Sequence, residues 1–305
     1  MSSNSTMAET SGSIDFTYNG ETFKIWYKVV GDLRSARPLV TLHGGPGIPH
    51  NYMLPHAELA TARDIPVVFY DQVGIGHSTH LRAKPATFWI VELFIAELEN
   101  VLAHLGIASD FDLLGHSWGG MLAAEYAIRV HSAGLKHLIL TDSLASMELW
   151  AVSVHKLLKQ LPEDLQETLR RHEEDGTTDS KEYQEGMSVF YGKHICRLDP
   201  WPQDMQDAFA FMAEDPTVYT TMIGPSEFNI TGTLKTWSVI DKLPTVRYPT
   251  LVMNGVHDEA QDECVRPFFE RIPKVRWVQF AESSHVPFFE EKERYFSVLG
   301  DFLKL

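Results

Sequence analysis

Phe111-Asp112-Leu113-Leu114-Gly115-His116-Ser117-Trp118-Gly119-Gly120 passes from an apolar run through a Gly-x-Ser-x-Gly pentapeptide and on into Met121–Arg129, which is rich in Ala and Leu. Strand, tight turn and helix in that order are what a nucleophile elbow requires. Its glycines permit the turn and the close approach of neighbouring backbone. Upstream, Pro38–Leu42 is a short apolar run ended by His43-Gly44-Gly45-Pro46-Gly47. Ile65–Tyr70 is another, ended by Asp71-Gln72-Val73-Gly74-Ile75-Gly76. Phe88–Leu105 carries apolar residues at helical spacing, and Leu135–Leu140 is a further strand. Strands alternating with helices build βαβ units and a mainly parallel sheet. In front of them, Ile14–Tyr18 and Thr22–Val29 alternate around Asn19-Gly20, a hairpin signal.

After Asp142 the pattern changes. From 145 to 244 the chain reads as helical and charged, with Leu157, Leu158, Leu161, Leu165 and Leu169 marking an amphipathic helix pair broken at Pro162 and with Glu173–Ser180 as a polar loop. Strand character returns at Pro249–Asn254 and Arg276–Phe280, and Lys292–Leu303 is a closing helix. The expected architecture is an α/β core over 13–144 and 245–305, interrupted by a helical cap over 145–244 and preceded by a flexible polar tail over 1–12.

The 305 residues are 44% hydrophobic and 22% charged, ordinary for a globular chain. A net charge of −15 disfavours nucleic-acid partners, because an acidic surface repels phosphate backbones. No apolar run is long enough to span a membrane, the N-terminus lacks the apolar segment of a signal peptide, and Cys196 and Cys264 read as two buried free thiols. A cytoplasmic setting is the expectation. Nothing in the sequence selects an oligomeric state.

A serine is a poor nucleophile without a base to take its proton. With Ser117 at the elbow, acid and base should follow in that order. His285, in Ser283-Ser284-His285-Val286-Pro287 just past a strand, is the base candidate. A base of ordinary pKa would put the acid limb of kcat/KM at roughly 6–7. Two aspartates compete for the acid: Asp258, which follows the strand after the insertion, is preferred over Asp142, at the end of an earlier strand. The oxyanion requires backbone donors, one from Trp118 and one from the loop after the first core strand. Gly45 is the better choice there, since a side chain would obstruct the substrate. No Cys/His cluster has zinc spacing, Gly74 and Gly76 do not complete a dinucleotide fingerprint, and the chemistry calls for no metal or cofactor. His50 and His56 read as loop or surface histidines. His257, beside the acid, sets a polar ring where it would narrow the pocket.

These motifs carry a family resemblance. His43-Gly44-Gly45-Pro46-Gly47, Asp71-Gln72-x-Gly74-x-Gly76-x-Ser78 and Gly115-x-Ser117-Trp118-Gly119-Gly120 together resemble the signatures of the proline iminopeptidase family of α/β-hydrolases. Gly224-Pro225-Ser226-Glu227-Phe228-Asn229-Ile230-Thr231-Gly232 resembles the tricorn-interacting aminopeptidase branch. The resemblance implies a serine exopeptidase that releases an N-terminal residue, often proline, from short peptides or amino-acid amides, with Ser117, Asp258 and His285 as its triad. It also implies that Glu227 and Glu259 bind the substrate's α-ammonium. Two rival readings use the same residues: a carboxylester or lactone hydrolase of small metabolites, and a non-catalytic receptor on a hydrolase scaffold.

Overall fold

The structure is a computed structural model that describes residues 8–305. Eight strands form one sheet in the order β1-β2-β4-β3-β5-β6-β7-β8: β1 (Glu9–Tyr18), β2 (Glu21–Val30), β3 (Leu39–Leu42), β4 (Val67–Tyr70), β5 (Phe111–His116), β6 (Leu135–Thr141), β7 (Thr250–Gly255) and β8 (Val275–Phe280). The β1–β2 and β2–β4 pairings are antiparallel and all others parallel. The mainly parallel α/β sheet expected from the sequence is therefore present. Its central strands read as unbroken apolar runs because both faces are covered. In β5, Phe111 and Leu113 join one hydrophobic layer and Leu114 the other; in β7, Val252 joins the first and Leu251 and Met253 the second.

The helices that supply those layers are α1 (Glu58–Arg63), α2 (Val91–His104) and α3 (Trp118–Arg129) in the first half, and α9 (Asp262–Arg271), α10 (Pro287–Glu290) and α11 (Lys292–Phe302) in the second. Between β6 and β7 the chain leaves the sheet and forms α4 (Met147–Leu158), α5 (Glu163–Asp175), α6 (Lys181–His194), α7 (Gln203–Glu214) and α8 (Thr217–Met222). Pro162 stands before α5, where its missing N–H costs nothing. Among the described residues no helix is long and apolar enough to cross a membrane. Cys196 and Cys264 are buried and free.

Three expectations need correction. Residues 9–12 of the anticipated tail belong to β1, whose ladder starts at Glu9↔Val30; residues 1–7 lie outside the described residues. A strand at the sheet edge is held by its backbone and tolerates exposed Ser, Thr and Gly, so polar composition did not reveal it. The polar loop begins later than expected, because α5 runs to Asp175. Its exposed face is laced by ion pairs such as Arg170–Glu174, 2.5 Å. His50 and His56 are buried, not surface groups: His50 Nδ1 bonds Asp71 at 2.7 Å, and His56 bonds the Met53 carbonyl and Tyr295.

Candidate active site

Ser117 closes β5 and opens α3 with φ 55 and ψ −122, a conformation that L side chains rarely adopt. The turn is possible because its neighbours are glycines: a Cβ at Gly115 would strike the Gly119 carbonyl, and one at Gly119 the Leu42 carbonyl. Ser117 thereby reaches a cavity between the strand ends and α4, α6, α7 and α8.

His285 lines the same cavity. Its loop is held from below by two glutamates of the α10 turn. Glu290 accepts from the Ser284 N–H (2.6 Å) and hydroxyl (2.7 Å), and Glu291 accepts from the Ser283 hydroxyl (2.7 Å). The His257 N–H donates to the Ser283 carbonyl and ties this loop to the one bearing Asp258. His285 Nδ1 lies 2.7 Å from Asp258 Oδ1, which also accepts from the Ala260 N–H. Nδ1 therefore carries a proton and leaves Nε2 for the cavity. Asp142, the rival acid, is fully buried behind the strand ends and bonds the Gly255 N–H and Thr141 hydroxyl instead.

Burial opposes the imidazolium, but the charge and hydrogen bond of Asp258, with Glu259 and Glu290 beyond, raise His285 to about 9. An acid limb near an ordinary histidine's value is thus displaced upward. His257 does not line the cavity; its carbonyl accepts from His194 Nδ1 at 2.8 Å.

Gly45 has φ +105, and a Cβ there would collide with the Gly47 and Ile48 nitrogens, so the loop admits only glycine at this point. Among the described residues neither the Gly45 nor the Trp118 N–H donates to a protein acceptor, and both residues line the cavity. The Trp118 indole is locked by a 2.9 Å bond to Gln72.

Glu227 and Glu259 also line the cavity. Glu227 comes from the segment after α8 and accepts from the Tyr191 hydroxyl with both oxygens, at 3.0 and 3.1 Å. Glu259 follows Asp258 and is wedged against α4 and α6. Its carbonyl accepts from Ser153 on α4, and its N–H donates to the His194 carbonyl on α6. Its Oε2 is buried without a hydrogen-bond partner among the described residues, as is the Tyr219 hydroxyl beside the same cavity. Burial raises both carboxyls, Glu259 to about 8, with His285 opposing and Glu227 reinforcing the shift. Neither meets a Lys or Arg within 4.0 Å among the described residues. Sequence reasoning missed Tyr52, Tyr191 and Tyr219, none of which lies in a pattern that marks a site, and gave no role to His116, which fills a variable position of the Gly-x-Ser-x-Gly pentapeptide.

A family model described as alpha/beta hydrolase fold matches residues 37–292. The chain is 37% identical over 296 residues to a proline iminopeptidase of Heyndrickxia coagulans, covering 96% of this chain and 98% of that protein. Among solved structures it superposes on VinJ with a TM-score of 0.92 at 47% identity, covering 96% and 98% of the two chains. On a proline iminopeptidase of Mycobacterium smegmatis it superposes with a TM-score of 0.87 at 43% identity, with the same coverage.

Proposed function

The chain belongs to the proline iminopeptidase family of α/β hydrolases, and we propose that it is a serine aminopeptidase that releases one N-terminal residue, proline or another small or apolar one, from short peptides or amino-acid amides. In this reading residues 145–244 form a helical cap over a core of 13–144 and 245–305. Ser117 Oγ attacks the first carbonyl while His285 Nε2 takes its proton, and Asp258 holds the imidazole in the required tautomer. The Gly45 and Trp118 N–H groups receive the oxyanion. His285 then protonates the departing amine. Water, activated by the same imidazole, hydrolyses the acyl-enzyme, and the amino acid leaves.

The observation that carries the peptidase reading is the pair Glu227 and Glu259. Two carboxylates share a cavity with the nucleophile, have no Lys or Arg partner among the described residues, and include an oxygen with no hydrogen bond. An α-ammonium supplies what that arrangement lacks: positive charge and several donors. With the amine fixed there, only the first peptide bond reaches Ser117. A panel of aminoacyl arylamides with free and acetylated amines, set beside aliphatic esters, tests this. Acetylation should lower kcat/KM by about 30-fold or more. Equal cleavage of free and acetylated substrates would hand the site to an ester or lactone hydrolase.

A further inference from the structure

A line of buried hydrogen bonds connects the two loops that this reaction depends on, through groups the reaction itself does not use. The Gly44 N–H lies 2.5 Å from the Tyr52 hydroxyl, that hydroxyl 2.9 Å from His116 Nδ1, and His116 Nε2 2.7 Å from the carbonyl oxygen of His285. Tyr52 and His116 are 4% and 2% exposed. The proton positions follow from what each atom is able to do. A carbonyl only accepts, so His116 Nε2 carries the hydrogen. Burial holds the His116 pKa well below the ordinary value, so the ring is neutral and Nδ1 offers a lone pair. Tyr52 therefore donates to Nδ1, and its oxygen accepts from Gly44. The three bonds run in one direction, from the oxyanion loop to the loop of the base.

Gly44 is gripped from its other side as well. The Gln72 N–H donates to His43 Nε2 at 3.0 Å, which leaves His43 Nδ1–H to donate to the Gly44 carbonyl at 3.1 Å. That carbonyl and the Gly45 N–H belong to one planar trans peptide and point in opposite directions across it. The His43 bond fixes that peptide directly and the Tyr52 bond fixes the preceding His43–Gly44 peptide, so the two together aim the Gly45 N–H. A Cβ on Gly44 would meet the Tyr52 hydroxyl at 2.9 Å and Ser117 Cβ at 3.1 Å, so this grip is applied within contact distance of the nucleophile.

We propose that Tyr52 and His116 are positioning residues that hold the Gly45 oxyanion donor and the His285 base in a common register, joining parts of the machinery contributed by distant points of the chain. The proposal rests on the roles given to Ser117, Gly45 and His285 above. Small misplacements of reacting groups cost up to about 10²-fold in rate, and loss of one oxyanion donor about 10²–10³-fold. Tyr52→Phe keeps the ring and removes both bonds of the hydroxyl. It should lower kcat on a free-amine arylamide about 10- to 100-fold, while KM stays within about threefold because Glu227 and Glu259 are untouched.

The experiment compares wild type, Tyr52→Phe, His116→Gln, the double variant and Ser117→Ala. It measures kcat, KM, the melting temperature, and affinity for two probes. One is an aminoacyl aldehyde, which forms a tetrahedral adduct on the serine; the other is free proline, a ground-state ligand. His116→Gln keeps a donor for the His285 carbonyl and moves its acceptor, the amide oxygen, off the Nδ1 position that Tyr52 meets, so it reaches the same link without altering Tyr52. If the proposal holds, aldehyde affinity falls in step with kcat, proline affinity does not, and the double variant loses no more than the worse single one. Wild-type kcat and aldehyde affinity in folded Tyr52→Phe or His116→Gln would overturn it, as would additive losses that track the melting temperature. Ser117→Ala separates the two levels: turnover by that variant would remove the underlying reaction scheme, whereas an inactive Ser117→Ala beside an unimpaired Tyr52→Phe would remove only the positioning role.

Discussion

Asp258 and Glu259 are neighbours in the chain, yet they face opposite electrostatic situations. Asp258 meets His285 at 2.7 Å and a backbone N–H at 2.9 Å, all within the core at the end of β7. Glu259 turns toward the cap, shares its end of the cavity with Glu227, and leaves Oε2 without a partner among the described residues. Asp258 has His285 as its partner, although its Oδ2 too lacks a hydrogen bond among the described residues; the Glu259 carboxyl has no protein donor at all among them and is left to be completed by something that enters. A buried charge without a partner is costly, and the raised pKa of Glu259, about 8, expresses that cost. In the proposed reading core and cap divide the work: the core holds the proton-transfer pair, and the cap closes over a cation site that the substrate completes.

If that division is correct, damage to the two ends must differ in size and in substrate dependence. Asp258→Asn removes the group that sets the His285 tautomer and should lower kcat by about 10⁴ on amides and esters alike. Glu227→Gln removes one carboxylate from the cation site and should lower kcat/KM by about 30- to 4,000-fold. That loss should be confined to free-amine substrates. Steady-state kinetics on an aminoacyl arylamide and on a neutral ester separate the cases. An equal loss on both substrates in Glu227→Gln would erase the distinction between the two ends.

The pH profile sharpens the same comparison. His285 must be neutral to accept a proton, and its pKa is raised to about 9; Glu259 must be ionised to hold an ammonium, and its pKa is raised to about 8. Both conditions are met as pH rises, so the acid limb of kcat/KM should lie at about pH 8–9, above the range of a free histidine; with a free-amine substrate the α-ammonium loses its proton at about pH 8 and bends the profile into a bell, whereas a neutral ester shows the limb alone. A bound ammonium favours the charged carboxylates and disfavours the imidazolium, so both pKa values fall in the complex. The acid limb of kcat for a free-amine substrate should therefore lie below that of kcat/KM. For a neutral ester the two limbs should coincide. Initial rates across pH 5–10 with both substrates check the displacement and its sign.

Much of the proton-transfer end is legible in the sequence, and little of the proposed cation site. Ser117, Asp258 and His285 each follow a strand that shows as a short apolar run, and the glycines around Ser117 announce the turn. Glu227 and Glu259 emerge only through a family resemblance, because a carboxylate's neighbours are set by how the cap folds back. Tyr191 and Glu227 are 36 positions apart, and Tyr52 and His116 are 64 apart. No periodicity encodes such meetings. The buried histidines show the same blindness: His50 is satisfied by Asp71 and His56 by Tyr295, contacts that exist only in the folded chain.

The smallest effect belongs to Asp142, the aspartate that competes with Asp258 in the sequence. It too is fully buried at a strand end, and burial, followed by the charge of Asp258, raises its pKa well above the carboxylate range. It is therefore a neutral acid at working pH, with one oxygen accepting from the Gly255 N–H at 3.0 Å and the other from the Thr141 hydroxyl at 2.8 Å. Asparagine matches a neutral carboxyl in shape and tolerates the left-handed backbone, φ 50, that Asp142 adopts. Its carbonyl oxygen retains the bond from Gly255, and the Thr141 hydroxyl has only to rotate to accept from the amide. Asp142→Asn should accordingly cost less than about tenfold in kcat/KM and leave the acid limb unmoved, since no charge has been removed near His285. Asp142→Ala is a poorer probe, because it combines a strained φ with an unpaired Gly255 N–H. Rate and pH measurements on Asp142→Asn beside Asp258→Asn supply the check. A loss near that of Asp258→Asn, or a displaced acid limb, would mean that Asp142 carries charge and that the two aspartates act on His285 as a unit.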